Sequence, residues 1–168
     1  MTKIVITGFM GCGKTRIARE LARRVNLSMV DLDEKITERE GRSPAQLIVD
    51  LGEAVFRLME SDALREVLET DTTQVIALGG GAWIQGTNRE LVRQYGCLSV
   101  WLDVPFAMCW ARIENSLEDR PLARTRNQAL ALYKRRRPVY QLAEIHIRTD
   151  KDLEDLASRI KTQREGYF

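Results

Sequence analysis

Short β-branched runs alternate with longer amphipathic stretches along most of the chain. Residues Lys3–Thr7 (KIVIT) are apolar and β-branched at consecutive positions, which is typical of a strand buried on both faces of a sheet. From Lys14 to Val25, apolar side chains recur at helical spacing with arginine and glutamate between them, which predicts an amphipathic helix. Four further short runs predict strands at residues 28–32, 75–78, 98–104 and 145–148.

Capping residues, proline and glycine mark the predicted ends of the other helices. Ser43 followed by Pro44 predicts the start of a short helix, and Gly52 its end. A longer helix is predicted from Glu53 to Leu68, where apolar residues again recur at helical spacing. Four further helices are predicted. One covers residues 88–95, one begins at 105, one follows the polar stretch 118–126 and ends at about 136, and one begins at 150.

Five strands separated by helices predict an α/β fold, with a parallel sheet flanked by helices on both faces. The 168 residues fit one domain of ordinary size, so we expect a single domain over residues 1–168. In a sheet of this kind, functional groups collect at the carboxyl ends of the strands. Polar and glycine-rich segments after the strands are therefore the first places to look for chemistry.

Composition narrows the classes of function. The chain has 44% hydrophobic and 30% charged residues, a usual globular balance that argues against disorder. Its 26 basic and 24 acidic side chains leave a formal charge of +2. This near-balance argues against a generic polyanion binder and against an acidic solvating protein.

The cysteines and the apolar runs suggest a location. Cys12, Cys97 and Cys109 are odd in number and lack CxxC spacing, which favours reduced thiols over a disulfide framework or a zinc site. The N-terminal segment lacks the pattern of a signal peptide. The longest apolar runs are far below the roughly 18 residues that a membrane-spanning helix requires. We therefore predict a cytoplasmic protein without membrane contacts.

A phosphate-binding loop follows the first predicted strand. Gly8 to Thr15 (GFMGCGKT) matches G-x-x-x-x-G-K-[ST] in full, between a buried strand and an amphipathic helix. Backbone N–H groups of such a loop and the helix N-terminus bind phosphate. Lys14 is placed to reach the β- and γ-phosphates, and the Thr15 hydroxyl to ligate Mg²⁺. The motif predicts a site for a nucleoside triphosphate with magnesium. A small filler role is predicted for Cys12, and a lowered thiol pKa is the alternative.

Two carboxylates lie at the end of the second strand. Asp31 and Asp33 are two positions apart, so an extended chain places both side chains on the same side, toward the active edge. One is then available to the water shell of the metal, and the other to an acceptor hydroxyl. The alternative is that an aspartate, Asp33 before Glu34 and Lys35, caps a following helix.

Three consecutive glycines follow the third strand. A turn needs only one glycine, so Gly79, Gly80 and Gly81 suggest that backbone N–H groups approach a ligand closely. In the preceding helix Arg57 and Glu60 are three residues apart, which places them on one face. From spacing alone, a functional pair and a solvated surface ion pair are equally good explanations.

Two basic segments lie near the end of the chain. Arg120-Pro121-Leu122 falls in a polar stretch, 118–126, that suits a mobile lid delivering a cation on closure. Residues 134–137 (KRRR) resemble a nucleic-acid patch, but a helix would spread these four side chains over several faces. Structural roles are predicted for Trp101 and His146, in the fourth and fifth strands.

Taken together, these motifs resemble the shikimate kinase family, a branch of the P-loop kinases. The resemblance runs over nearly the whole chain in the right order. Its less specific part is the phosphate loop. The more specific motifs are Asp31-x-Asp33, Gly52-Glu53-x-x-Phe56-Arg57-x-x-Glu60, Gly79-Gly80-Gly81, Arg120-Pro121-Leu122 and Arg136-x-Pro138-x-Tyr140.

The resemblance implies transfer of the γ-phosphoryl group of ATP to the 3-hydroxyl of shikimate, on the route to chorismate and aromatic amino acids. It implies a three-layer fold with sheet order 2-3-1-4-5, an acceptor-binding segment at about 34–61 and a lid at about 116–126. A monomer that binds ATP and shikimate, and no nucleic acid, is expected.

The resemblance also implies roles for individual residues. Arg57 and Arg136 would hold the carboxylate of shikimate, with Glu60 orienting Arg57. Asp33 and the Gly80 N–H would hold its hydroxyls, within a substrate site that includes Gly79 and Gly81. Asp31 would act on Mg²⁺ through water, beside Thr15. The catalytic residues would be Asp33, Lys14 and Arg120. ATP would contact Gly11, Cys12, Gly13, Lys14, Thr15, Arg16, Arg112 and Arg120.

Three other functions remain open at this point. A related kinase for another polyol acid, such as gluconate, would use the same acceptor residue types. A regulatory module that binds nucleotide without turnover has no need of Asp33, Arg57 and Arg136 together. A nucleic-acid-binding ATPase would rest on the weak basic cluster at 134–137.

Overall fold

The fold is a five-stranded, wholly parallel sheet in the order β2-β3-β1-β4-β5, as expected. It was obtained as a computed structural model, which describes residues 2–70, 72, 74–116, 119–148 and 150–165. The central strand pairs Ile4 with Val75 on one side and with Leu98 on the other. The strands are β1 (Ile4–Thr7), β2 (Ser28–Asp31), β3 (Gln74–Ala77), β4 (Leu98–Leu102) and β5 (Ile145–Ile147).

Eight α-helices connect and flank these strands in the described part of the chain. α1 packs on β1, β2 and β3 and contacts α8, while α4 contacts α2, α3 and α5. A 3₁₀ turn, Ala82–Ile84, precedes α5. The helices are α1 (Lys14–Val25), α2 (Leu32–Glu40), α3 (Pro44–Leu51), α4 (Glu53–Glu69), α5 (Gly86–Gln94), α6 (Phe106–Glu114), α7 (Arg126–Tyr140) and α8 (Asp150–Glu165).

Local sequence explains most helix ends. Ser43 and Gln46 form a capping box at the start of α3, where each side chain accepts a hydrogen bond from the other residue's backbone N–H. Thr125 and Gln128 do the same at the start of α7. Gly52 separates α3 from α4 with φ = 88°, a conformation that suits glycine.

Three elements differ from the sequence prediction. β2 ends at Asp31 and α2 begins at once, whereas the pattern predicts a strand to residue 32, with a helix after it only in the capping alternative. β4 ends at Leu102, two residues earlier than expected. α7 continues to Tyr140, past the predicted end at about residue 136. Pro138 lies in its last turn, where proline removes only one N–H donor from the helix.

The core lies between the sheet and its helices. All four residues of β1 and of β3 are buried, as strands covered on both faces should be. Trp101 is 2% exposed and belongs to this core, as predicted. Every helix in the described part of the chain falls short of the length and apolarity that crossing a membrane requires.

Candidate active site

The phosphate loop lies at the carboxyl end of β1. Gly8, Gly11 and Gly13 have positive φ angles of 151°, 73° and 93°, which let the backbone curl before α1 begins. Gly13 precedes the first turn of α1, so the N–H groups of that turn point into the loop with the positive end of the helix dipole. This is the geometry of an anion site.

Two side chains of the loop motif face this anion site. Lys14 Nζ donates to the carbonyl oxygens of Gly8 and Phe9, at 3.0 Å each, and so lies over the loop. The Thr15 hydroxyl donates to Asp31 Oδ2 at 2.5 Å. Cys12 is 3% exposed inside the loop, which agrees with its predicted filler role.

Thr15 and Asp31 fit a magnesium site. Hydroxyl and carboxylate oxygens are ligands that Mg²⁺ prefers, and this ion usually keeps several waters and phosphate oxygens. Among the described residues there is no group of three or more His, Cys, Asp or Glu side chains that would form a complete protein cage. A pair of oxygens beside a phosphate loop is therefore the kind of partial site in which Mg²⁺ is held jointly with substrate phosphates.

The two aspartates after β2 do not lie on one extended strand, which corrects the sequence argument. Asp31 Oδ1 accepts hydrogen bonds from the N–H groups of Asp33 and Glu34, at 3.0 and 3.3 Å, and so caps α2. The capping alternative is thus right about the helix but names the wrong aspartate. Asp33 lies in the first turn of α2, where its side chain faces a separate cavity.

This acceptor cavity gathers most of the predicted substrate residues. It lies beside the phosphate loop, since Met10 forms part of its wall. Apolar side chains from α3, α4 and the 119–122 segment also line it, and of these only the α3 side chains lie outside the motifs that carry the family resemblance. The lining residues are Met10, Asp33, Pro44, Ala45, Ile48, Phe56, Arg57, Glu60, Gly79, Gly80, Gly81, Asp119, Arg120, Pro121, Leu122 and Arg136.

Arg57 and Glu60 form a buried ion pair in the wall of this cavity, so the solvated alternative is wrong. Arg57 Nη1 donates to Glu60 Oε2 at 2.8 Å, and the two side chains are 11% and 1% exposed. Arg57 also donates from Nε and Nη2 to Glu53 Oε1, at 3.3 and 3.1 Å. The guanidinium is thereby held in one orientation by two carboxylates.

Burial sets the protonation of this pair. Burial raises the pKa of Glu60 to about 7; Arg57 opposes the shift, and the nearby Asp33 carboxylate adds to it. Burial works against the charge on Arg57, but Glu60 and Glu53 outweigh that effect and raise its pKa. Glu60 Oε1 has no hydrogen-bond partner within the described structure. One buried carboxylate oxygen of the pair, beside the cavity, is therefore an unsatisfied hydrogen-bond acceptor.

The triple glycine makes room for these side chains. A Cβ atom on Gly79 would lie 2.6 Å from Asp33 Oδ1 and 2.9 Å from Glu60 Oε1, and one on Gly81 would lie inside the Arg57 guanidinium. One on Gly80 would meet only ordinary contacts, 3.5 Å from the Met10 nitrogen. A side chain at 79 or 81 would thus displace Asp33, Glu60 or Arg57 from their places in the cavity wall, a constraint that the sequence pattern did not predict.

α7 supplies a second buried guanidinium. Arg136 is 5% exposed and faces the acceptor cavity. The next residue, Arg137, donates to Asp103 at 3.2 Å and lies over the Trp101 ring. Lys134 and Arg135 are exposed. The basic cluster is therefore spread over several faces, as helical geometry predicts.

The remaining nucleotide-side residues lie at different distances from the loop. Arg112 Nη1, on α6, donates to the Gly11 carbonyl at 3.1 Å. Arg120 lines the acceptor cavity. Arg16 is exposed on α1 and does not line the acceptor cavity. In the predicted lid, 116–126, positions 117 and 118 lie outside the described residues.

The chain is similar to known proteins over most of its length. A family model described as shikimate kinase matches residues 10–164. A shikimate kinase of Thermus thermophilus is 38% identical over 159 residues, covering 89% of this chain and 82% of that protein. One of Moorella thermoacetica is 40% identical over 170 residues, covering 98% and 95%.

Solved structures agree with the sequence relatives. A shikimate kinase from Acinetobacter baumannii in complex with shikimate matches with a TM-score of 0.84 and 30% identity, covering 99% of this chain and 94% of that chain. A gluconokinase from Sinorhizobium meliloti matches with a TM-score of 0.62 and 15% identity, covering 96% and 97%. The second likeness is one of fold alone.

Proposed function

The chain belongs to the shikimate kinase family, and from that premise we propose the reaction and the role of each residue. The protein is an ATP-dependent kinase that transfers the γ-phosphoryl group of ATP to the 3-hydroxyl of shikimate. The products are shikimate 3-phosphate and ADP. The reaction belongs to the biosynthesis of chorismate and the aromatic amino acids.

One observation carries this proposal: two buried guanidiniums and a carboxylate line a cavity that adjoins a phosphate loop. Arg57, Arg136 and Asp33 all face the cavity, and Met10 belongs to both the loop and the cavity wall. Buried arginines bind carboxylates strongly because a planar guanidinium donates two parallel hydrogen bonds. An acid bearing hydroxyl groups fits this combination of charges.

The acceptor is held by groups of opposite character. Arg57 and Arg136 bind the carboxylate of shikimate, and Glu60 orients Arg57 through its 2.8 Å ion pair. Asp33 accepts hydrogen bonds from the hydroxyls, which an arginine cannot do because it has no acceptor atom. The Gly80 N–H donates to the hydroxyls. The apolar wall excludes water from the ring. We assign segment 34–61 to acceptor binding and 116–126 to the lid.

ATP binds across the phosphate loop. The loop N–H groups and Lys14 hold the β- and γ-phosphates, while Arg112 and Arg16 lie toward the rest of the nucleotide. Thr15 and Asp31 would hold Mg²⁺, with Asp31 acting through water, and the ion would supply charge neutralisation at the phosphates.

Catalysis consists mainly of positioning and charge stabilisation. Asp33 orients the 3-hydroxyl and accepts its proton while the new O–P bond forms and the bond from the γ-phosphorus to the ADP oxygen breaks. Lys14 and Arg120 stabilise the negative charge of the transferring group. Closure of the lid over the cavity excludes water and limits hydrolysis of ATP.

We further propose a single kinase domain that acts as a monomer in the cytoplasm. All three cysteines are free and buried, which supports a reducing compartment.

The position of phosphorylation tests the proposal directly. The product formed from ATP, Mg²⁺ and shikimate is examined by ³¹P and ¹H NMR. We expect one phosphate ester, whose phosphorus couples to the proton on C3. An ester at another ring carbon would contradict the assigned geometry of Asp33, and formation of inorganic phosphate alone would contradict the kinase activity.

A further inference from the structure

Tyr140 is buried at the junction of two parts of the acceptor site. It is 1% exposed and ends α7, one helical turn after Arg136. Its hydroxyl donates to the carbonyl oxygen of Gly80. Its ring stacks on Trp101, with centroids 6.3 Å apart and planes at 23°. The residue thus joins α7 to the glycine turn after β3.

The Tyr140 hydroxyl also faces the Arg136 guanidinium. Burial raises the pKa of Tyr140, and Arg136 partly opposes this through charge and hydrogen bonding. A phenol has one O–H donor and two acceptor lone pairs. Since its proton goes to Gly80, the lone pairs are available to the guanidinium. One buried oxygen therefore bonds to a peptide of the acceptor cavity and lies within the electrostatic influence of Arg136.

The surroundings hold this oxygen in place. Trp83 Nε1 donates to the Val139 carbonyl at 3.0 Å, which fixes the last turn of α7 against the 3₁₀ turn. A Cβ atom on Gly80 would lie 3.7 Å from Arg136 Nη1 and 3.9 Å from the Gly8 carbonyl oxygen. Gly80 thus lies between the arginine and the phosphate loop.

We propose that Tyr140 is a positioning residue for the acceptor, because its hydroxyl fixes the Gly80–Gly81 peptide beside the Arg136 guanidinium. This inference rests on the proposed function, in which Arg136 and the Gly80 N–H bind shikimate. Without the hydroxyl, the Gly80 carbonyl is left buried without its donor, and the peptide reorients to find another. Acceptor binding is then weakened, while the nucleotide side is spared.

The test compares Tyr140→Phe with Tyr133→Phe. Both tyrosines lie on α7 and donate to a backbone carbonyl, but Tyr133 donates to Val104 at 3.1 Å, away from the acceptor cavity. We expect Y140F to raise KM for shikimate roughly 5- to 20-fold, an effect of the size of one buried hydrogen bond. KM for ATP should change less than twofold, and kcat less than threefold. Y133F should leave KM for shikimate within twofold.

Two kinetic outcomes would overturn the inference: an unchanged KM for shikimate in Y140F, or equal increases in both KM values, which indicate general loosening. Failure of the proposed function is separate, because the wild-type protein itself would then lack shikimate-dependent turnover.

A second measurement uses the unaltered chain, so it holds even if Y140F does not fold. The four tyrosines are labelled with ¹³C in the ring, and the Tyr140 signal is identified by elimination with Y95F, Y133F and Y167F. Saturating shikimate should shift the Tyr140 signal, and ADP alone should shift it much less. A Tyr140 signal unmoved by shikimate would overturn the inference.

Discussion

Arg57 lies in the wall of the acceptor cavity with both ends of its guanidinium engaged by glutamates. Its removal takes away a substrate contact and leaves Glu60 buried without a counter-charge. Truncating one partner of a buried charge pair typically costs about 2–5 kcal/mol. Arg57→Ala should therefore raise KM for shikimate on the order of 100-fold, with a smaller change in KM for ATP, measured by steady-state kinetics.

Arg93→Ala is the matched control for this substitution. Arg93 pairs with Glu90 at the same spacing, at 2.6 Å, but its side chain is 76% exposed. Exposed pairs contribute little, so R93A should leave both KM values unchanged. Equal kinetics for R57A and wild type would remove Arg57 from the acceptor site.

Asp33 has a different role, because it is proposed to orient the attacking hydroxyl and accept its proton. Asp33→Ala should lower kcat by about 10²- to 10⁴-fold, the usual contribution of a positioned base, and should leave ADP affinity nearly unchanged. Turnover and an ADP titration measure the two quantities. Asp62→Ala, at an exposed position of α4, is the control. Near-normal turnover of D33A would rule out its assignment.

Glu60 makes the stability of the protein depend on pH. Its pKa is raised by burial from 4.5 to about 7 in the folded state. The folded protein therefore holds a proton that the unfolded chain releases between these values, so this contribution to stability is full below pH 4.5 and is lost as pH rises through 7. Its size is on the order of 1–3 kcal/mol.

The difference in Tm between Glu60→Gln and wild type reports this proton. Glutamine carries no titrating proton, so the Tm of the variant does not depend on this group. The Tm of E60Q minus that of wild type should therefore increase by about 3–10 °C from pH 5 to pH 8. Glu66→Gln, whose glutamate is 52% exposed, should keep a constant difference. A constant difference for E60Q as well would contradict the raised pKa.

At the residue scale, the sequence motifs predicted which side chains meet in the cavity, including Asp33, Arg57 and Arg136. They did not predict burial, which decides between a functional and a solvated Arg57–Glu60 pair. Burial depends on α3, α7 and the glycine turn, and spacing within α4 contains no information about those elements.

At the element scale, the strands and the strongly amphipathic helices were predictable, and polar α2 was not. α2 buries only Leu32 and Ile36, so its apolar pattern is too sparse to distinguish a helix from a loop. α7 extends past the predicted end because Tyr140 and Trp83 fix its last turn through tertiary contacts. Such contacts override the local preference that proline expresses.

The segment between α6 and α7 carries the prediction that belongs to this scale. Arg120→Ala should depress kcat by about 10²-fold or more, because a cation beside the transferring phosphoryl group is lost. ATP affinity should fall much less, which single-turnover kinetics and nucleotide titration separate. Arg124→Ala is the control, since Arg124 is 61% exposed in the same segment. If R120A lost ATP affinity and kcat to the same extent, that result would contradict a role limited to the transition state.

At the scale of the whole molecule, the parallel sheet explains why one edge contains the site. The phosphate loop follows β1, Asp31 ends β2 and the glycine turn follows β3, and parallel strands place their carboxyl ends at the same edge. The alternation of strands and helices predicted this arrangement. The strand order was predicted from family resemblance, because the alternation alone fits several orders.

The central claim is that the phosphate loop and the acceptor cavity form one site specific for shikimate. Release of ADP from Mg-ATP, coupled to an absorbance readout, tests it most directly. The rate is measured without an acceptor, with millimolar shikimate and with millimolar gluconate. We expect a large increase in ADP release with shikimate alone. Equal rates with and without shikimate would contradict the account, as would a higher rate with gluconate.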